Sequence, residues 1–96
     1  MNKSITSQEY RVFLHELRAA RRRSGLTQVD LALRLGETQS FVSKCERGER
    51  RLDVLELRTF CHAIGVAVGD FVKTLDQTLE AVSPAPTGRR RTSRGV

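Results

Sequence analysis

Leu26 to Glu49 reads LTQVDLALRLGETQSFVSKCERGE, and this stretch decides the fold. It spells two short helices separated by a tight turn. Thr27 offers a side-chain oxygen to the free N–H groups of a helix start, and Asp30 stands where a capping box needs its return partner. Leu31, Ala32 and Leu35 then fall on one helical face. Gly36 stops that helix in a left-handed conformation that any side chain would resist. Thr38 is placed to cap a second helix, with Val42 and Cys45 inward and Gly48 closing it.

At roughly 100° per residue, that second helix gathers its polar residues on one arc about 140° wide. They are Gln39, Ser40, Ser43, Lys44 and Arg47, opposite Val42 and Cys45. Amide, hydroxyl, ammonium and guanidinium are groups that read base edges in a major groove. Glutamine pairs bidentately with adenine, arginine or lysine with guanine, and serine with either. A solvated amphipathic helix would present the same arc, so the arc alone leaves both readings open.

The register of the whole string separates them. Leu26-Thr27-Gln28, Leu31-Ala32, Leu35-Gly36, Thr38-Gln39-Ser40, Val42-Ser43-Lys44 and Glu46-Arg47-Gly48 resemble the helix-turn-helix family of lambda repressor and Cro, often called the Xre family. Leu17-Arg18 and Arg21 match that family's first helix, while Asp53 to Ile64 and Val68 to Val72 match its fourth and fifth. The resemblance covers roughly residues 14–76. It implies an all-α bundle of five helices, lambda-repressor-like, with the helix-turn-helix at residues 27–47. It also implies that Gln28 donates to a DNA phosphate, at a helix N-terminus that already favours an anion. Arg21 and Glu46 match a salt bridge that in the family ties the first helix to the third.

Charge is distributed as such a role requires. The chain of 96 residues carries a formal +6. Residues 18–51 hold nine basic against four acidic side chains, whereas 52–83 hold two against five. One face of the molecule is thereby suited to a polyanion. The length suits one small domain with no room for a separate ligand-sensing unit. No apolar run approaches the ~18 residues of a membrane span. MNKSITSQEY lacks the apolar stretch of a signal peptide, so the expected location is the cytoplasm, on the nucleoid.

Cys45 and Cys61 sit at apolar-facing helical positions, and neither they nor His15 and His62 have metal-ligand spacing. Buried reduced thiols are expected, with no metal or other cofactor. No nucleophile–base set, phosphate loop or carboxylate pair is present, so the chain does not read as an enzyme.

Outside the motif, Thr6 and Glu9 suggest a capping box for a first helix over about Ser7 to Ser24, with Tyr10, Phe13, Leu14 and Leu17 as its apolar stripe. Glu49 to Leu52 reads as a charged loop, and Asp53 with Glu56 opens a fourth helix through Ile64. A fifth begins near Val68 and extends to about Val82. The domain is thus expected over residues 1–82, followed by a disordered basic tail, 83–96, whose arginines are 89, 90, 91 and 94. Val68, Phe71, Val72 and Leu75 suffice to pack the fifth helix, which leaves Leu79 and Val82 surplus. A homodimer through Leu75, Leu79 and Val82 is the expectation.

The functional reading is sequence-specific binding of double-stranded DNA by a prokaryotic or phage-type repressor. Gln39, Ser40, Ser43 and Lys44 lie nearest base edges, while Gln28, Thr38, Arg47, Arg50 and Arg51 hold the backbone. Two rivals stand beside it. One is the antitoxin of a toxin–antitoxin pair, which would add a toxin partner. The Arg-rich tail offers no apolar anchors for it, whereas the fifth helix, or Val29 and Leu33, apolar where the family is usually polar, could serve. The other is a protein-binding adaptor, against which the basic 18–51 segment argues.

Overall fold

Five helices are joined by turns whose ends are set by side-chain caps. The computed structural model describes residues 3–82, and side chains from Gln8 to Ala81. In chain order the helices are α1 (Lys3–Arg23), α2 (Gln28–Leu35), α3 (Gln39–Arg47), α4 (Val54–Ile64) and α5 (Val68–Val82), with no strand among the described residues. The expected tail and the side chains of Thr6 and Val82 lie outside what is described.

At α2, the Thr27 hydroxyl accepts from the Asp30 N–H at 3.0 Å and the Asp30 carboxylate accepts from the Thr27 N–H at 2.9 Å. Asp53 and Glu56 repeat the reciprocal pair at α4, with 2.8 and 2.9 Å. Thr38 caps α3 by accepting from the Phe41 N–H at 3.0 Å. Each cap satisfies a backbone donor that a helix start leaves free. The first helix differs from expectation. It begins at Lys3, so Thr6 lies within the helix rather than ahead of it.

Leu17, Leu31, Val42, Cys45 and Cys61 are fully buried, one or two from each of the first four helices, and Phe71 brings α5 onto them. α1 runs across the back of α3 and also receives α5. There Phe13 meets Phe71 edge-on at 6.0 Å, and the Thr78 hydroxyl donates to Glu16 at 3.0 Å. Gly48, at φ +82°, ends α3 directly over α1. A Cβ at this position would lie 3.0 Å from Leu14 Cδ1. Glycine is needed there for space as well as for backbone angle.

One expectation about α5 is corrected. Val72 does not help pack the helix and is 44% exposed, because one step past buried Phe71 carries it round the helix. Leu75, half-buried, packs against the core as expected of it. Leu79 is half-buried.

Candidate nucleic-acid interface

α3 is held in position by its one buried carboxylate. Glu46 is 1% exposed and receives a two-pronged contact from Arg21, itself 6% exposed. Arg21 Nε lies 2.6 Å from Oε2 and Nη2 lies 3.0 Å from Oε1. The third guanidinium nitrogen, Nη1, donates to the Leu26 carbonyl at 2.8 Å, in the turn before α2. Arg18 Nη1 donates to the Glu46 carbonyl at 2.6 Å, taking up an acceptor that the end of α3 leaves free. A buried ion pair is tolerable when further hydrogen bonds share its charges, as the Leu26 carbonyl does for Arg21 and Gln28 for Glu46. One carboxylate thus fixes α3 to α1 and α2 together.

The network continues to the surface. Gln28 Nε2 donates to Glu46 Oε1 at 3.0 Å, and Gln39 Nε2 donates to Gln28 Oε1 at 2.7 Å. Gln28 is half-buried and Gln39 exposed, so a chain of hydrogen bonds runs from the core to the first residue of α3. Among the described residues, the Gln39 carbonyl and its second N–H have no partner. Those are the acceptor and the donor that the N6 and N7 edge of adenine takes. Gln28 likewise has one N–H without a partner among the described residues, beside the N-terminus of α2, where an anion is favoured.

The other residues of the polar arc differ in how far they are occupied. Ser40 and Lys44 are exposed and make no side-chain hydrogen bond among the described residues. Arg47 donates to the hydroxyl of Ser43 and pairs with Glu49 at 2.9 Å. That hydrogen bond holds the Glu49 carboxyl below the usual carboxylate range. Arg50 pairs with Glu56 at 2.7 Å and lies 5.1 Å from the centre of the Phe41 ring. The Glu56 carboxyl is lowered by Arg50 first and by the Asp53 N–H second. Arg51 has its guanidinium 4.3 Å from the centre of the Tyr10 ring. Phe41 itself turns towards Phe60, 6.3 Å away, and is half-buried rather than presented to a groove.

Gln28, Gln39, Ser40, Ser43 and Lys44 are therefore brought to one side of the bundle, with Thr38 turned into its cap. Arg47 and Arg50 are already neutralised within the chain. The contacts of Arg18 and Tyr10 were not foreseen. Both residues were visible only as members of helix 1, since periodicity places a side chain on a face without saying which neighbour's carbonyl or N–H it meets.

Val29 and Leu33 stand out from α2 at 53% and 76% exposure. His15 and His62 are exposed. Cys45 and Cys61 are buried free thiols, and burial pushes Cys61 up from 9.0 to about 11. No group of metal-ligating side chains occurs among the described residues, and no helix there is long and apolar enough to cross a membrane.

Five helices arranged round a capped helix-turn-helix, with its second helix tethered from behind, define a class of nucleic-acid-binding domain. The helix-turn-helix family matches residues 17–71. The chain belongs to that family, in its Xre, lambda-repressor-like form. An uncharacterised HTH-type transcriptional regulator of Sinorhizobium fredii, y4dJ, is 38% identical over 58 residues, which are 60% of this chain and 75% of that protein. A solved XRE-family like protein from Pseudomonas syringae pv. tomato is 45% identical. Its alignment covers 85% of this chain and 95% of that one, with a TM-score of 0.73. The clp gene regulator ClgR of Corynebacterium glutamicum is similar at 26% identity and a TM-score of 0.64, over 82% of this chain and 96% of its own.

Proposed function

We propose that the chain is a transcription regulator that binds double-stranded DNA in a sequence-specific manner, and that it acts as a repressor. The observation that carries this reading is the hydrogen-bonded line from Arg21 through Glu46 and Gln28 to Gln39. Such a line is anchored in the core by Glu46, and it presents a preset amide at the start of α3. Lys44 and Ser40 extend the readable edge, and the basic α1–α3 segment supplies the attraction to phosphate. As a repressor, the regulator would act by occupying its site and excluding other proteins.

A homodimer fits this role, because two recognition helices about one DNA turn apart read two half-sites. We place its interface on α5 around Val72 and Leu79, since Leu75 is taken by the core. The antitoxin reading draws on a separate observation, the exposed Val29–Leu33 pair on α2, and adds a protein partner to the same DNA-binding face.

The test is selection of duplexes from a random pool by the full chain, followed by titration of the best sequence and of a scrambled one. Enrichment of a defined motif, bound at least tenfold more tightly than the scrambled duplex, is the expected result. Equal binding to every sequence, or none at all, overturns the reading. Co-purification of a specific toxin would move the role to that of an antitoxin.

A further inference from the structure

The geometry points to Tyr10 as the positioning residue of a phosphate clamp in which Arg51, and not Arg50, makes the contact. This rests on the reading of the chain as a duplex-DNA binder. It divides labour within the loop between α3 and α4 and extends the site to α1.

The Tyr10 side chain contacts the loop at Leu52 and Arg51 and lies close beneath Gly48. Its edge lies 4.0 Å from where a Cβ on Gly48 would stand, directly beneath the C-terminal cap of α3. Its hydroxyl accepts from the Leu52 N–H at 3.0 Å, at the far end of the loop. Its face carries the Arg51 guanidinium at 4.3 Å. Behind it, Phe13 braces the ring at 5.1 Å. One half-buried aromatic thus lies under the start of the loop, holds Leu52 near its end and carries the cation between them.

The two adjacent arginines are held in opposite states. Arg50 is spent inside the protein. Its Nη2 pairs with Glu56 at 2.7 Å, its Nη1 donates to the Arg51 carbonyl at 3.2 Å, and its plane lies by Phe41. Contact with a phosphate would require it to leave a carboxylate that also serves the α4 capping box. Arg51 is exposed and meets no carboxylate among the described residues. A ring face orients a guanidinium without neutralising it, so its N–H groups remain available to phosphate oxygens. The stack lowers the rotamer entropy that a long side chain would otherwise lose on binding.

The experiment measures affinity of the full chain for its selected duplex against salt concentration. Arg51→Gln is expected to flatten the dependence of log K on log salt by about 0.9 per protomer. Arg50→Gln is expected to leave the slope unaltered and lower thermal stability instead. Tyr10→Leu should weaken binding about two- to fivefold in the wild-type background and have no further effect beside Arg51→Gln. Tyr10→Phe, which keeps the ring, should recover affinity relative to Tyr10→Leu. An unchanged slope in Arg51→Gln, equal flattening in Arg50→Gln, or Tyr10→Leu acting equally in both backgrounds overturns the clamp. Should Tyr10→Leu not fold, the two exposed arginine variants and Tyr10→Phe still decide. A wild-type chain that binds no duplex takes down the DNA-binding reading and the clamp together, whereas binding with the wrong slopes removes the clamp alone.

Discussion

Lys44 and Gln39 occupy the same exposed face of α3, yet they are prepared for binding in different ways. Lys44 is a long exposed cation, and Gln39 is held at 2.7 Å by Gln28. Replacing either by alanine should cost roughly 1–3 kcal/mol on the best duplex and relax preference at one definite base pair. Gln28→Ala is more informative. A pure phosphate contact would weaken good and poor sites equally, but Gln28 also orients Gln39. It should therefore relax the same base pair as Gln39→Ala, read by repeating the duplex selection with each variant. Glu46 is the other decisive side chain. Glu46→Ala would leave the Arg21 guanidinium buried without its anion, at a cost of about 3–5 kcal/mol in denaturant unfolding. Replacing both partners by apolar residues of similar size should cost much less.

Helix boundaries show which parts of the architecture are written locally. Thr27, Thr38 and Asp53 as starts, with Gly36, Gly48 and Gly65 as stops, bound α2, α3 and α4 where the sequence places them. Caps are short-range contacts between residues a few positions apart, so a linear reading finds them. The start of α1 was misplaced because Thr6 and Glu9 have capping-box spacing while the helix runs on to Lys3. Local spacing permits a cap without compelling one. The links that shape the candidate interface are not local at all. Gln28 to Glu46, Arg18 to the Glu46 carbonyl and Tyr10 to Leu52 each join different elements, and no periodicity encodes their pairing. The stops also differ in kind. Gly36→Ala meets open space at φ +71° and should cost about 1–2 kcal/mol from backbone angle alone. Gly48→Ala adds a Cβ 3.0 Å from Leu14 Cδ1 and should cost measurably more in thermal unfolding, since α1 must yield to make room.

The whole molecule places its basic face on α1 to α3 and a partly apolar strip on α5. If that strip is the dimer seam, Leu79→Glu should shift the chain towards monomer in sedimentation at tens of micromolar while circular dichroism stays unchanged. Half-site binding would then lose its cooperativity. Stability should also respond to pH from both directions. The depressed carboxyls of Asp30, Glu49 and Glu56 contribute stability above the ordinary carboxylate range, which is lost as pH falls through their folded values. The Cys61 thiol works in the opposite sense. Its proton is held more tightly in the folded state, so stability is full below 9.0 and declines as pH rises towards about 11. Thermal unfolding followed from pH 3 to 11 should trace a plateau with both shoulders, and a Cys61→Ala variant should show a smaller alkaline one, the remainder coming from Cys45, whose thiol burial also raises.

The buried Glu46 has a consequence for anyone wishing to retarget the protein. α3 is not a portable cassette. Its outward side chains at 39, 40, 43 and 44 can be exchanged without touching the core, but the helix as a unit belongs to Arg18 and Arg21 of α1 and to Gln28 of α2. A chimera receiving Gln39–Arg47 in a scaffold without the matching arginine would inherit an orphaned anion in its interior and fold poorly. Transplanting only the four surface positions should carry the base preference across.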